Sequence, residues 1–230
     1  MKMLGLIGGM SWESTVPYYR TINQTVKEQL GGLHSARLLL YSVDFAQIEK
    51  LQHAGDWDAA GAVLADAARS LKAGGAQLLV ICTNTMHKVA DAVEAASGLP
   101  LLHIADPTGE AIRARGFTRI GLLGTRFTME QAFYRQRLIE RHGLDVLVPQ
   151  PDERELVHRV IYEELCLGVI REESLAAYRN VMASLVARGA QGIILGCTEI
   201  GLLVGEGDAG VPLFDTTALH ARAAALAALG

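Results

Sequence analysis

"QLLVICTNT", residues 77–85, and "QGIILGCTEI", residues 191–200, decide how this chain is read. Each opens on a glutamine, continues through apolar residues and ends on a cysteine followed by threonine and further polar residues. A short apolar run bounded by polar residues reads as a buried strand. The chain has three cysteines, so two of them at matching strand ends pose a chemical question.

Working outward, the same kind of run recurs at 3–8, 37–43, 99–103, 118–124, 144–148 and 211–214, beside 77–82 and 191–197. Longer periodic segments, read as helices, lie at 14–30, 56–73, 84–96, 107–115, 128–142, 152–167, 172–188 and 216–229. Strands alternating with helices predict βαβ units and parallel sheets, an α/β fold. The order also repeats. "MLGLIGGMS" at 3–11 matches "RIGLLGTRF" at 119–127 (offset 116), and "LKAGGAQ" at 71–77 matches "LVARGAQ" at 185–191 (offset 114). Cys82 matches Cys197 (offset 115), and "LPLL" at 99–102 matches "VPLF" at 211–214 (offset 112). An ordered set of matches at nearly constant offset predicts an internal duplication: two Rossmann-like parallel-sheet domains, 1–105 and 106–214, related by pseudo-two-fold symmetry. Ligands of open parallel sheets bind beyond the carboxyl ends of the strands. Each half would therefore offer one thiol to an active site in the cleft between them.

Composition narrows the class. Half of the 230 residues are hydrophobic and the net charge is -4, so no basic footprint for nucleic acid exists. No apolar run approaches the roughly 20 residues that span a bilayer. The N-terminal apolar stretch is too short for a secretory signal and reads as a first strand. A cytoplasmic protein without disulfides is expected.

A helix that begins just after a strand aims backbone N–H groups and a positive dipole end at the site, which holds a carboxylate and lowers a nearby thiol's pKa. Thr83, Asn84, Thr85 and Thr198 add further donors. Two opposed thiols flanking a carboxylate-bearing carbon suit a two-base 1,1-proton transfer: one removes the α-proton, the other delivers a proton to the opposite face.

"GLIGGMSWEST", "CTNTMH" and "GCTEI" together resemble the aspartate/glutamate racemase family of cofactor-independent two-cysteine racemases, over essentially the whole chain. "GCTE" is similar to the aspartate-racemase branch, where glutamate racemases carry a "GCTHYP"-like motif. The resemblance implies that Cys82 and Cys197 are the catalytic acid/bases, each serving one enantiomer. It implies that Met10, Thr83, Asn84, Thr85, Thr198 and Glu199 contact substrate, with Thr125 and Thr128 in the second-half counterpart of the Gly-Gly-Met turn. It further implies that the C-terminal helix, 215–230, packs back on the first half, and that the protein is a homodimer without metal or other cofactor.

Other readings fit less well. "GLIGG" lacks the G-x-G start of a dinucleotide fingerprint. Zinc would need Cys82, Cys197 and a third ligand such as His87 or His103, with no finger-like spacing. None of the five lysines lies in a motif for pyridoxal phosphate. Cys166 lies within a helix as a structural residue, and the remaining histidines read as surface residues. A decarboxylase or cis–trans isomerase of the same superfamily, and a non-catalytic binding module, are the alternatives. For specificity, aspartate racemases of this type carry cations toward the distal carboxylate. The corresponding regions here, "SVDFAQIEKLQ" and "IYEELCLG", offer uncharged Gln52 and the acidic Glu163 and Glu164, with Lys50 and Arg126 as the nearest cations. A broad preference for neutral or polar amino acids is therefore expected over strict Asp or Glu specificity.

Overall fold

The computed structural model describes residues 1–230. The chain divides into two compact units, Met1–Ile104 with His220–Gly230, and Ala105–Leu219. The first contains β1 (Leu4–Gly8), α1 (Trp12–Leu30), β2 (Leu38–Ser42), α2 (Phe45–Ala54), α3 (Trp57–Ala73), β3 (Leu78–Ile81), a 3₁₀ turn (Thr85–Val89), α4 (Ala90–Ser97) and β4 (Leu101–Leu102). The second contains α5 (Ala105–Ala114), β5 (Arg119–Gly124), α6 (Arg126–Glu130), α7 (Ala132–His142), β6 (Asp145–Leu147), α8 (Pro151–Glu163), a 3₁₀ turn (Leu165–Leu167), α9 (Glu172–Ala187), β7 (Ile193–Gly196), α10 (Ile200–Leu203) and β8 (Leu213–Asp215). The last helix, α11 (Thr216–Leu229), starts in the second unit and runs through the first.

Each unit holds a four-stranded, all-parallel sheet, in the order β2-β1-β3-β4 and β6-β5-β7-β8. The fold is the α/β architecture expected, with the same strand order in both units. Strand alternation divides the first core into two layers. Leu4, Leu6, Leu78, Val80 and Cys82 face α1 and α11, against Tyr18, Ile22, Val26, Ala221, Ala224 and Ala225. Ile7, Leu79 and Ile81 face the opposite layer, with Ile48, Leu64, Ala68 and Val93. α11 is rich in alanine because it lies flat on the sheet: Ala221, Ala224, Ala225 and Ala228 are all buried. No helix is long and apolar enough to cross a membrane.

Local chemistry sets several boundaries that periodicity missed. The stretch after β2 is not a loop: Asp44 caps α2 by accepting from the Ala46 N–H, and Gly55 closes it in the left-handed conformation. The segment expected as one helix over 128–142 is broken at Gln131, which is extended and caps α7. The helix expected over 152–167 ends at Glu163, and Cys166 sits in the following 3₁₀ turn. Helix 84–96 begins as 3₁₀ and becomes α only from Ala90.

Candidate active site

Both sheets end, at their carboxyl edges, in the residues singled out from the sequence. In the first unit the β1 turn carries Met10, which is buried. Gly9 has φ +90, and a Cβ there would lie 2.3 Å from the Val43 carbonyl oxygen, so the turn needs glycine. Its N–H donates to Thr15 Oγ1 at 2.9 Å, which ties the turn to α1. The β3 end supplies Cys82, Thr83, Asn84 and Thr85, of which only Thr83 is partly exposed. Gln52 of α2 is buried and its Nε2 donates to Met86 Sδ at 3.1 Å, so it packs on the β3 end loop.

In the second unit the β5 end carries Thr125, which caps α6 by accepting from the Thr128 N–H. Both threonines are buried, with hydroxyl oxygens 3.3 Å apart. The β7 end supplies Cys197, Thr198 and Glu199. The Cys197 thiol donates to Glu199 Oε2 at 3.0 Å, and Thr198 Oγ1 donates to the same oxygen at 2.6 Å. Glu199 is 3 % exposed, so its carboxylate is spent on the thiol and the hydroxyl beside it.

The strand ends can be compared between the units. Gly5 pairs with Leu79 across β1 and β3, and Gly121 pairs with Ile193 across β5 and β7. Cys82 is the first residue after β3, and Cys197 is the first after β7. Cys82 continues the inward series Leu78, Val80 and is 0 % exposed, while Thr83 beside it is partly exposed.

The thiols also differ from the low-pKa expectation. Burial pushes the Cys82 thiol far above its usual value of 9.0. Burial likewise raises Cys197, and the Glu199 carboxylate adds to it, followed by Cys166. The positive end of a helix does not offset this: a 3₁₀ turn follows Cys82, and α10 after Cys197 is only four residues long.

Two further differences concern charge and histidine. Arg126 pairs with Glu155 at 3.2 Å, and Glu164 accepts from Ser174 at 2.6 Å. The histidines outside the β3 loop are not all surface residues: His158 and His220 are buried. Sequence reasoning could have suspected His220 from its position in an alanine-rich helix that must lie on a core. No group of three or more His, Cys, Asp or Glu is arranged to hold a metal ion.

These strand-end sites can be set beside known proteins. The Asp/Glu/Hydantoin racemase family model matches residues 7–224. A crystal structure from Yersinia pestis, assigned to the Asp/Glu racemases, is 65% identical with a TM-score of 0.93, covering 100% of both chains. An aspartate racemase homologue from Pyrococcus horikoshii is 34% identical with a TM-score of 0.84, again over 100% of both. The broad specificity amino-acid racemase RacX of Bacillus subtilis is 21% identical over 229 residues, 96% of this chain and 95% of that one.

Proposed function

This chain belongs to the Asp/Glu/Hydantoin racemase family and is an isomerase, and from that premise we propose that it racemises amino acids with neutral or polar side chains, without a cofactor, using Cys197 and Cys82 as the acid/bases on the two faces of the α-carbon. The observation that carries this reading is the β7 end: a buried thiol hydrogen-bonded to a carboxylate, with Thr198 beside it. The Glu199 carboxylate, which accepts the thiol's hydrogen bond, would receive its proton as the sulfur becomes the base that removes the α-proton. The donors at the β3 end, Asn84 and Thr85, would bind the substrate carboxylate as charge builds on it.

For the opposite face the first unit offers Cys82, the first residue after β3 as Cys197 is the first after β7. One thiolate would remove the α-proton while the other thiol delivers its own proton to the opposite face, so the two cysteines exchange protonation states with each turnover.

Neutral substrates are favoured because Arg126 is already paired with Glu155, and Lys50 is exposed on α2. An unpaired distal carboxylate would lose several kcal/mol on burial. RacX, a family relative of broad specificity, fits this reading. A free Cys197 is best kept in the reducing cytoplasm. A homodimer is supported by the apolar stripe Trp12, Val16 and Tyr19 exposed on α1. Glu13 and Arg20 flank that stripe at opposite ends, so a second copy run antiparallel would match opposite charges.

The test is incubation of each L- and D-amino acid in deuterated water, with α-deuterium read by mass spectrometry and inversion by chiral chromatography. We expect inversion of several neutral amino acids, with α-deuterium entering the product enantiomer. Strict activity on Asp or Glu would overturn the specificity, and absence of both exchange and inversion would overturn the racemase reading.

A further inference from the structure

Away from the strand ends, a groove of about 510 Å³ runs between α3 and α4 of the first unit. Small-molecule sites range from about 300 to 1,000 Å³. None of the residues lining this groove belongs to the strand-end sites described above. Its floor is apolar and made of small residues: Gly61, Ala62 and Ala65 of α3, and Ala92 of α4. Both signs of charge enter the same groove. Lys88 comes from the 3₁₀ turn, Asp58 from the first turn of α3 and Asp91 from the first turn of α4.

Two features show that the groove is not filled by its own chain. Lys88 is half-buried, with its Nζ 3.9 Å from the centroid of the Trp57 ring. It makes neither a hydrogen bond nor an ion pair, although two aspartates share the groove with it. Burial lowers the Lys88 pKa below its ordinary 10.5, a cost that an anion placed against the ammonium would relieve. The second feature is Gly61, which lies inside a helix of 17 residues, where glycine is among the least favourable residues. Packing does not demand it there. A Cβ at this position would meet only Val89, at 3.5 Å, an ordinary van der Waals contact. What the missing side chain preserves is the open floor.

We propose that this groove is a second binding site, for a free amino acid in its zwitterionic form. The ligand carboxylate meets Lys88, its ammonium is met by Asp58 and Asp91, and an apolar side chain lies on Gly61, Ala62 and Ala65. Charge complementarity selects the zwitterion over either ion alone. A bare carboxylate gains Lys88 but faces two aspartates, and a bare amine gains the aspartates but faces Lys88. The site owes nothing to the racemisation chemistry, so the two can fail separately.

The chain has two tryptophans, Trp12 and Trp57, so Trp12→Phe leaves Trp57 as the sole fluorescent reporter of the groove. In that background Trp57 emission is titrated with leucine, with 4-methylpentanoate (leucine without its ammonium) and with 3-methylbutylamine (leucine without its carboxylate). Leucine should give a saturable change with a Kd at least about tenfold below that of either fragment. No saturable change with leucine, or equal binding of a fragment, would overturn the proposal. Lys88→Met removes the cation, and Gly61→Leu fills the floor from a position where the added Cβ meets only Val89. Each should raise the leucine Kd by about tenfold or more, and an unchanged Kd in either would overturn the site. Racemisation measured alongside separates the groove from the strand ends: KM in Lys88→Met should stay within about twofold of its parent. A KM that rises together with the Kd would place leucine at the strand ends alone and overturn the second site. An enzyme inactive on every amino acid would refute the racemase reading and leave the fluorescence titration to decide this one.

Discussion

The β3 end of the first unit and the β7 end of the second occupy equivalent places in two sheets of the same strand order, yet they hold different chemistry. At β7 the residue after the strand is a thiol 9 % exposed, with a carboxylate and a hydroxyl arranged around it. At β3 the residue after the strand is Cys82, 0 % exposed, whose thiol donates to the Val80 carbonyl at 3.9 Å. The two thiols are therefore matched in position along the backbone and set in different surroundings.

The pairing of the two ends can be broken most severely at Cys197. Cys197→Ser replaces a base by a hydroxyl and should lower both α-deuterium wash-in and inversion by about 10³-fold or more, with the fold retained because volume barely changes. Residual exchange close to wild type, measured by mass spectrometry, would mean the strong base lies elsewhere. Cys82→Ser removes the opposing thiol, and inversion should fall by about 10³-fold or more with the fold retained. Near-normal inversion by this variant, read by chiral chromatography, would sink the two-base reading.

Glu199 sharpens the electrostatic half of the comparison. Burial first, and then the Glu199 carboxylate, hold the Cys197 thiol above its usual value of 9.0. Glu199→Gln removes a negative charge from beside the sulfur, so the thiol should ionise at lower pH. The alkylation rate of the Cys197 peptide with iodoacetamide, measured against pH, should show its inflection displaced downward. Racemisation should nevertheless fall, because the carboxylate that receives the thiol proton is gone.

The smallest effect is on stability. Cys82→Ala should cost about 1–2 kcal/mol through lost packing. Burial raises this thiol's pKa in the folded state above the usual 9.0. The folded protein thus keeps a proton that the unfolded chain releases, and the stability so contributed is complete below about pH 9 and declines above it. Cys82→Ala lacks that decline, so its deficit against wild type in urea unfolding should narrow between pH 8 and pH 10. A deficit that widens with pH would reverse the sign of the argument.

Much of this was legible from residue order. Apolar runs ending on glycine or polar residues, alternating with helical periodicity, determined the parallel α/β fold, and the near-constant offsets determined its duplication. Cys197, Thr198 and Glu199 stood out because "GCTE" packs a thiol, a hydroxyl and a carboxylate into consecutive positions. Tertiary structure alone decided that Cys82 is sealed while its neighbour Thr83 is partly exposed, because burial depends on what packs over the strand end. The thiol pKa values were likewise decided by packing, because desolvation depends on the atoms that surround the sulfur and not on its neighbours along the chain. The ring contacts of His87 with His103 and His220 were out of reach for the same reason: these positions have no spacing relation to one another, and His220 arrives only because α11 returns across the chain to lie on the first sheet.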